Sequence, residues 1–190
     1  KNVEEFLQKL ETLKTEISEE FTSVEKDLSI NFEKTSATEQ GLSTEDSKKI
    51  ILALKSAHNG VYRMSPDVEN LVETSNNIAR VELKNGALKI LNLSRSSVES
   101  NKMAVAEQLK SVFELAGMEV EFSGSYPGWK PKPGAEIIKI MTEIYEKDFG
   151  AKPHVVACHA GLECGIIGAN YPKMEMVSFG PTIKGAHSPD

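Results

Sequence analysis

Cysteine is scarce in this chain. Cys158 and Cys164 are the only two in 190 residues, and their spacing is not C-x-x-C. No second metal-type pair exists, so a reduced, cytoplasmic protein is the simplest reading. Long apolar runs are missing as well. None approaches the ~20 residues of a membrane span, and Lys1-Asn2-Val3-Glu4-Glu5 has nothing of a signal peptide. There is no basic excess: the formal net charge is -6, and the Lys and Arg residues are scattered. Phosphate binding needs a clustered excess of them, so nucleic acid is not expected as a partner, and neither is a membrane. No internal repeat or low-complexity tract is visible.

What is present, 39% apolar and 26% charged residues, suits a globular protein of one domain or two small ones. Val3, Phe6, Leu7, Leu10, Leu13, Ile17, Phe21, Val24 and Leu28 recur at three- and four-residue steps, which predicts a helix over residues 2–27. Its heptads are not sustained, so a face laid on a sheet is preferred to a coiled coil. The alternating Leu28–Glu33 reads as a strand. Ser43-Thr44-Glu45-Asp46 opens a second helix like a capping box, with Asp in place of Glu or Gln. Ile50, Ile51, Leu54 and Ala57 turn inward, and His58-Asn59-Gly60 ends the helix. Val61–Pro66 leads into a turn. Asn85-Gly86 between β-rich runs signals a hairpin of strands Leu71–Lys84 and Leu88–Ser96. The first of these is expected to bend near Ser75-Asn76-Asn77. Asn101–Ala116 reads as a helix with Met103, Ala106, Leu109, Val112, Phe113 and Ala116 on one face, Ser100 as N-cap and Gly117 just beyond its end. Glu119–Phe122 reads as a strand. From Leu28 onward the order is the β-α-β-β-α-β of a ferredoxin-like split unit.

Three prolines in seven residues, Pro127, Pro131 and Pro133, then change the composition abruptly. They predict a stiff connector with Trp129 packed at the junction, and a boundary between domains 1–130 and 131–190. Beyond it come an amphipathic helix over Ala135–Phe149, an apolar strand at Pro153–Cys158, a turn at Gly161–Gly165 and a strand at Met174–Phe179. This second part is short of apolar surface for a core of its own. The fold class expected is therefore α/β (α+β): a ferredoxin-like domain followed by an incomplete α/β segment. The chain stops at Asp190, directly after its most site-like loop, so it is expected to be a piece of a longer protein.

Chemistry-bearing residues gather in the last third. His187, in a loop after an apolar strand, is a candidate metal ligand, weighed against an ordinary surface histidine. His159 and Glu163 are four apart, but Gly161 lies between them and speaks against one shared helix face. The plainer reading makes this a structural turn with Glu163 starting a helix. A further reading has backbone N–H groups here touching substrate. Cys158, in an apolar strand, is expected to be inert, whereas Cys164 downstream of His159 is a candidate nucleophile without a third orienting group. Arg95, between serines at a strand end, could fork onto a carboxylate. Asn77 could bend its strand or touch a ligand.

Taken together, R-M-S-P-D-V-E-N-L-V-E-T-S-N-N (Arg63–Asn77), L-S-R-S-S (Leu93–Ser97), Y-P-G-W-K-P (Tyr126–Pro131), H-A-G-L-E-C-G (His159–Gly165) and M-V-S-F-G-P-T-I-K-G-A-H-S-P-D (Met176–Asp190) resemble the aminoacyl-histidine dipeptidases, zinc peptidases that cleave Xaa-His dipeptides. The resemblance covers essentially the whole chain. It implies a catalytic α/β domain with two bridged zinc ions and an inserted ferredoxin-like lid that forms homodimers. Residues 1–130 would be the later part of the lid, and 131–190 the return into the catalytic domain. The resemblance makes His187 a zinc ligand, Arg95 the lid arginine that binds the substrate carboxylate, and Gly161 a backbone contact to substrate. Asn77 falls in a matching motif.

The same resemblance puts the family's H-x-D motif, its Glu-Glu pair with the general base, the bridging Asp and a further acidic ligand upstream of this sequence. The intact protein is expected to hydrolyse dipeptides by zinc-activated water, and the 190-residue chain alone to be inactive. Two other readings stand beside it. One is a non-catalytic ferredoxin-like interaction module; the other is a Cys164-dependent enzyme.

Overall fold

A computed structural model describes residues 3–34, 36, 41–159, 163–181 and 183. The chain divides into two compact units, Lys1–Gly41 and Leu42–Asp190.

The first unit is built on α1 (Val3–Phe21). The helix ends earlier than its apolar spacing suggests, because Thr22-Ser23-Val24 are three poor helix formers in a row. The Thr22 hydroxyl bonds back to the Ser18 carbonyl, and Val24 and Glu25 close turns on Phe21. Residues 28–34 belong to no helix or sheet among the described residues.

In the second unit, α2 (Thr44–Ser56) starts as its sequence says it should. Ser43 Oγ accepts from the Asp46 N–H at 3.0 Å and donates to the Asp46 carboxylate at 2.7 Å. Three strands follow in one antiparallel sheet, ordered β1 (Gly60–Met64), β2 (Val72–Lys84) and β3 (Ala87–Ser96). β1 lies where a lead-in to a turn was expected. Asn85 and Gly86 both take positive φ, 51° and 76°, the geometry of a type I′ hairpin turn. α3 (Glu99–Leu115) lies across one face of the sheet, and its C-terminus closes in a Schellman motif. Gly117 has φ 80°, and the Met118 and Gly117 N–H groups donate to the Phe113 and Glu114 carbonyls.

The core lies between α2, α3 and the sheet: Ala53, Ala57, Val105, Leu109 and Phe113, with Ile78 and Ile90 from the strands. Burying a side chain such as Val105 or Phe113 contributes about 1.5–3 kcal/mol. The buried stripe of α3 is Lys102, Val105, Leu109 and Phe113. It is rotated from the expected face, so Met103 is left exposed. Lys102 accounts for the rotation. Its stem lies in the core edge while its ammonium donates to Ser125 Oγ at 3.1 Å and the Tyr126 carbonyl at 2.7 Å, beside Glu99 at 2.9 Å.

Two more helices follow, α4 (Glu136–Phe149), stopped by left-handed Gly150, and α5 (Glu163–Asn170). The mixed helix-and-antiparallel-sheet class stands as expected. The stretches Leu28–Glu33, Glu119–Phe122, Pro153–Cys158 and Met174–Phe179 do not form strands among the described residues, which corrects four expected elements. A strand exists only as a pairing, and apolar alternation does not itself supply a partner. The expected outer strands of the ferredoxin-like unit are therefore unpaired among the described residues. The proline connector at residues 125–133 falls inside the second unit.

Candidate functional site

The site is assembled where β2 and β3 end against the proline connector. Strand register decides which side chains meet there. Thr74 Oγ1 bonds Ser96 Oγ at 2.8 Å, and Ser94 Oγ donates to Asn76 Oδ1 at 2.9 Å, on the face that also carries core-packed Ile78 and Ile90. Alternation then puts Ser75 and Asn77, with their partners Arg95 and Leu93, on the opposite face. A bulge between Ile78 and Arg80 sets this register. Counted in strict pairing from the Asn85-Gly86 turn, Ser75 would face Ser96 instead. The register shift of the β2–β3 pair falls between Ile78 and Arg80 rather than at Ser75-Asn77, and Asn77 is an exposed residue of a continuous strand. Asn76, its neighbour, is only 2% exposed and donates to the His58 carbonyl at 2.8 Å. It pins the start of β1 to β2.

Arg95 is exposed, and among the described residues it has no carboxylate partner. His159 lies beside it, with Nε2 2.7 Å from Ser75 Oγ. Burial first, then the positive charge of Arg95, hold the imidazole below its usual pKa of 6.5, against the opposing pull of the Val72 carbonyl. The Ser75 hydroxyl and Nε2 are the two ends of one hydrogen bond, and a neutral imidazole can take either end of it.

Arg95 and His159 line a cleft of about 930 Å³ together with Cys158, Ser97, Gly128 and Trp129. Trp129 is half-buried. The connector sits tightly here. A Cβ on Gly128 would collide with the Ser96 carbonyl oxygen and come within 2.9 Å of Ser97 Cα; one on Gly165 would reach the Pro127 carbonyl at 2.5 Å. Only glycine lets the connector pass between the end of β3 and α5.

Of the residues singled out from sequence, Arg95 and Asn77 come together on one sheet face. Gly161 and His187 lie outside the described residues. Glu163 occupies the first position of α5, where a carboxylate favours the helix dipole. His159 lies before that helix, so no helical His/Glu pair forms. Cys158 is exposed rather than shielded in a strand, a correction that follows from the missing pairing. Nε2 of His159 is engaged by Ser75 Oγ, and no hydrogen bond joins Cys164 to His159 among the described residues. Ser75 was not singled out, and no sequence signal marks it without the bulge. Among the described residues no group of three or more His, Cys, Asp or Glu is placed to hold a metal, so these residues by themselves do not fit a zinc centre. Nor is any described helix long and apolar enough to cross a membrane.

No family model matches the chain. It is 37% identical over 180 residues to the cytosol non-specific dipeptidase of Escherichia coli K12, covering 95% of this chain and 36% of that protein. Its backbone matches the crystal structure of the aminoacylhistidine dipeptidase from Vibrio alginolyticus with a TM-score of 0.85 and 43% identity, covering 98% of this chain and 38% of that one. The chain is thus similar over nearly its whole length to these two dipeptidases, of whose length it spans a little over a third.

Proposed function

We propose that this chain is the substrate-holding part of a zinc-dependent dipeptidase that hydrolyses Xaa-His dipeptides in the cytoplasm. In this reading residues 1–130 belong to a lid that pairs two subunits as a homodimer, and residues 131–190 return to the catalytic domain. Arg95 forks onto the substrate's carboxylate, the Gly161 backbone touches the peptide, and Asn77 lies on the same sheet face as Arg95. His187 is one zinc ligand; the other ligands and the general base come from outside these 190 residues. Zinc supplies the activated water, and the chain's own residues bind and orient the dipeptide.

The observation that carries the reading is Arg95. A guanidinium left exposed, with no carboxylate partner among the described residues, at the lip of a cleft and beside a neutral imidazole, is a site waiting for an anion.

The test is kinetic, on the full-length protein with zinc. Arg95→Ala should raise KM for Xaa-His by about 10–100-fold, the worth of a charge-assisted hydrogen bond pair. It should leave the already poor cleavage of the corresponding dipeptide amide unchanged. The 190-residue chain alone should cleave neither. Absence of dipeptide cleavage by the full-length protein would overturn the function, and cleavage by the chain alone would overturn the placement of the general base.

A further inference from the structure

We propose that Ser75 and His159 form a positioning pair that docks the Pro153–His159 segment onto the β2–β3 end, so that the wall of the substrate cleft and Arg95 are held in one frame. The inference rests on the dipeptidase reading above for its kinetic consequence, but the pair itself is a matter of geometry.

Three observations converge. Nε2 of the His159 imidazole lies 2.7 Å from the hydroxyl of Ser75 on β2. That imidazole sits 84 residues further along the chain than Ser75, at the end of a segment without helix or strand. Val155 and Val156 are exposed, and no strand pairing holds the backbone there among the described residues. Finally, Ser75 is the cross-strand partner of Arg95, so the residue that anchors the segment stands opposite the residue that meets the carboxylate. Opposed side chains on one face of an antiparallel pair lie about 4.5–5.5 Å apart at Cβ. A shift in the His159 anchor is therefore felt directly by the guanidinium.

The pair also has a chemical consequence. Held against Ser75 and beside a guanidinium, the ring stays neutral and adds no second cation next to Arg95. The substrate's anion then meets one positive group in a fixed place. Neither Ser75 nor His159 needs to touch the reacting atoms. Their role is to hold the guanidinium where it takes up the carboxylate end of the dipeptide, so their loss weakens that binding contact.

The experiment uses the intact protein with zinc. Ser75→Ala and His159→Gln should each raise KM for Xaa-His about tenfold with kcat held within about twofold. Ser75→Thr, which keeps the hydroxyl on a residue at home in a strand, should restore KM. Ser75→Ala added to Arg95→Ala should cost little more than Arg95→Ala alone, because both act through one carboxylate contact. An unchanged KM in Ser75→Ala, or a Thr variant as defective as Ala, overturns the proposal. The imidazole 15N spectrum is independent of activity. It should show an Nε2 resonance that shifts in Ser75→Ala, and an Nε2 shift unmoved by that substitution overturns the pair. If the intact protein cleaves no dipeptide, it is the proposed function that fails, and the 15N spectrum still decides the pairing.

Discussion

Arg95 and His159 share one patch of sheet, and two cations there would repel each other. The chain resolves this by keeping the imidazole neutral, through burial and through the guanidinium's own charge. Removing that charge with Arg95→Gln should therefore move the His159 titration midpoint upward, toward the usual 6.5. The C2–H proton shift of His159 followed against pH measures it, and a midpoint that stays put would mean the two groups are not neighbours. The same depression has a consequence for stability. Because the folded state binds this proton less readily than the unfolded chain, stability is full above the unfolded value. It falls as the pH drops from there to the folded value, and levels off below it. In Arg95→Gln that window narrows, so the loss of stability on acidification should be smaller than in the parent. At this scale the sequence was half legible. An arginine set between small polar residues at a strand end announces itself. Ser75 does not, because which residue stands opposite Arg95 depends on a one-residue bulge at Ile78–Arg80 that no local pattern encodes.

The elements were legible where a local rule suffices: the Ser43 cap, the Asn85-Gly86 turn and the Gly150 and Gly117 helix ends all fall at or next to the residues that dictate them. They were illegible where a long-range partner decides. The stripe of α3 turned because Lys102 has two acceptors 23 and 24 residues away in the connector, Ser125 Oγ and the Tyr126 carbonyl. The connector itself is the element that joins the β3 end to α5, and its tolerance for added atoms can be ranked. Gly128→Ala and Gly165→Ala each drive a methyl into backbone, the Ser96 and Pro127 carbonyls respectively, which cannot swing aside. Each should cost about 1–3 kcal/mol and lower the urea midpoint. Gly168→Ala meets only the Met176 methyl at 2.9 Å, the mobile end of a flexible side chain. Its penalty should be well below the other two, since alanine also suits a helix better than glycine. Denaturation of the three variants side by side checks the order, and a Gly168→Ala as damaging as Gly128→Ala would mean the connector is looser than drawn.

At the scale of the whole molecule, the apolar side chains are distributed unevenly. Val105 is fully buried, while Val156 and Phe179 are 83% and 81% exposed in stretches whose sequences read as interior strands. The strand reading took its strength from residue type, and residue type was right about the need for burial but silent on where the cover would come from. The related dipeptidase from Vibrio alginolyticus has a chain of which this one spans 38%, so a longer protein of that family has ample further polypeptide to pair with such stretches. This gives a prediction with opposite signs in two contexts. In the 190-residue chain, Val156→Asp and Phe179→Asp place a charge where a large apolar group already meets water, so stability should change by no more than about 0.5 kcal/mol. They should also reduce self-association, because exposed apolar stretches with unpaired backbone are adhesive. In the full-length protein the same charges would be buried without a partner. There they should cost several kcal/mol or prevent folding. Thermal melts of both variants in both lengths make the comparison. Equal, small effects in the long protein would show that these stretches stay at the surface, and would remove the case for reading residues 131–190 as part of a larger sheet-based domain.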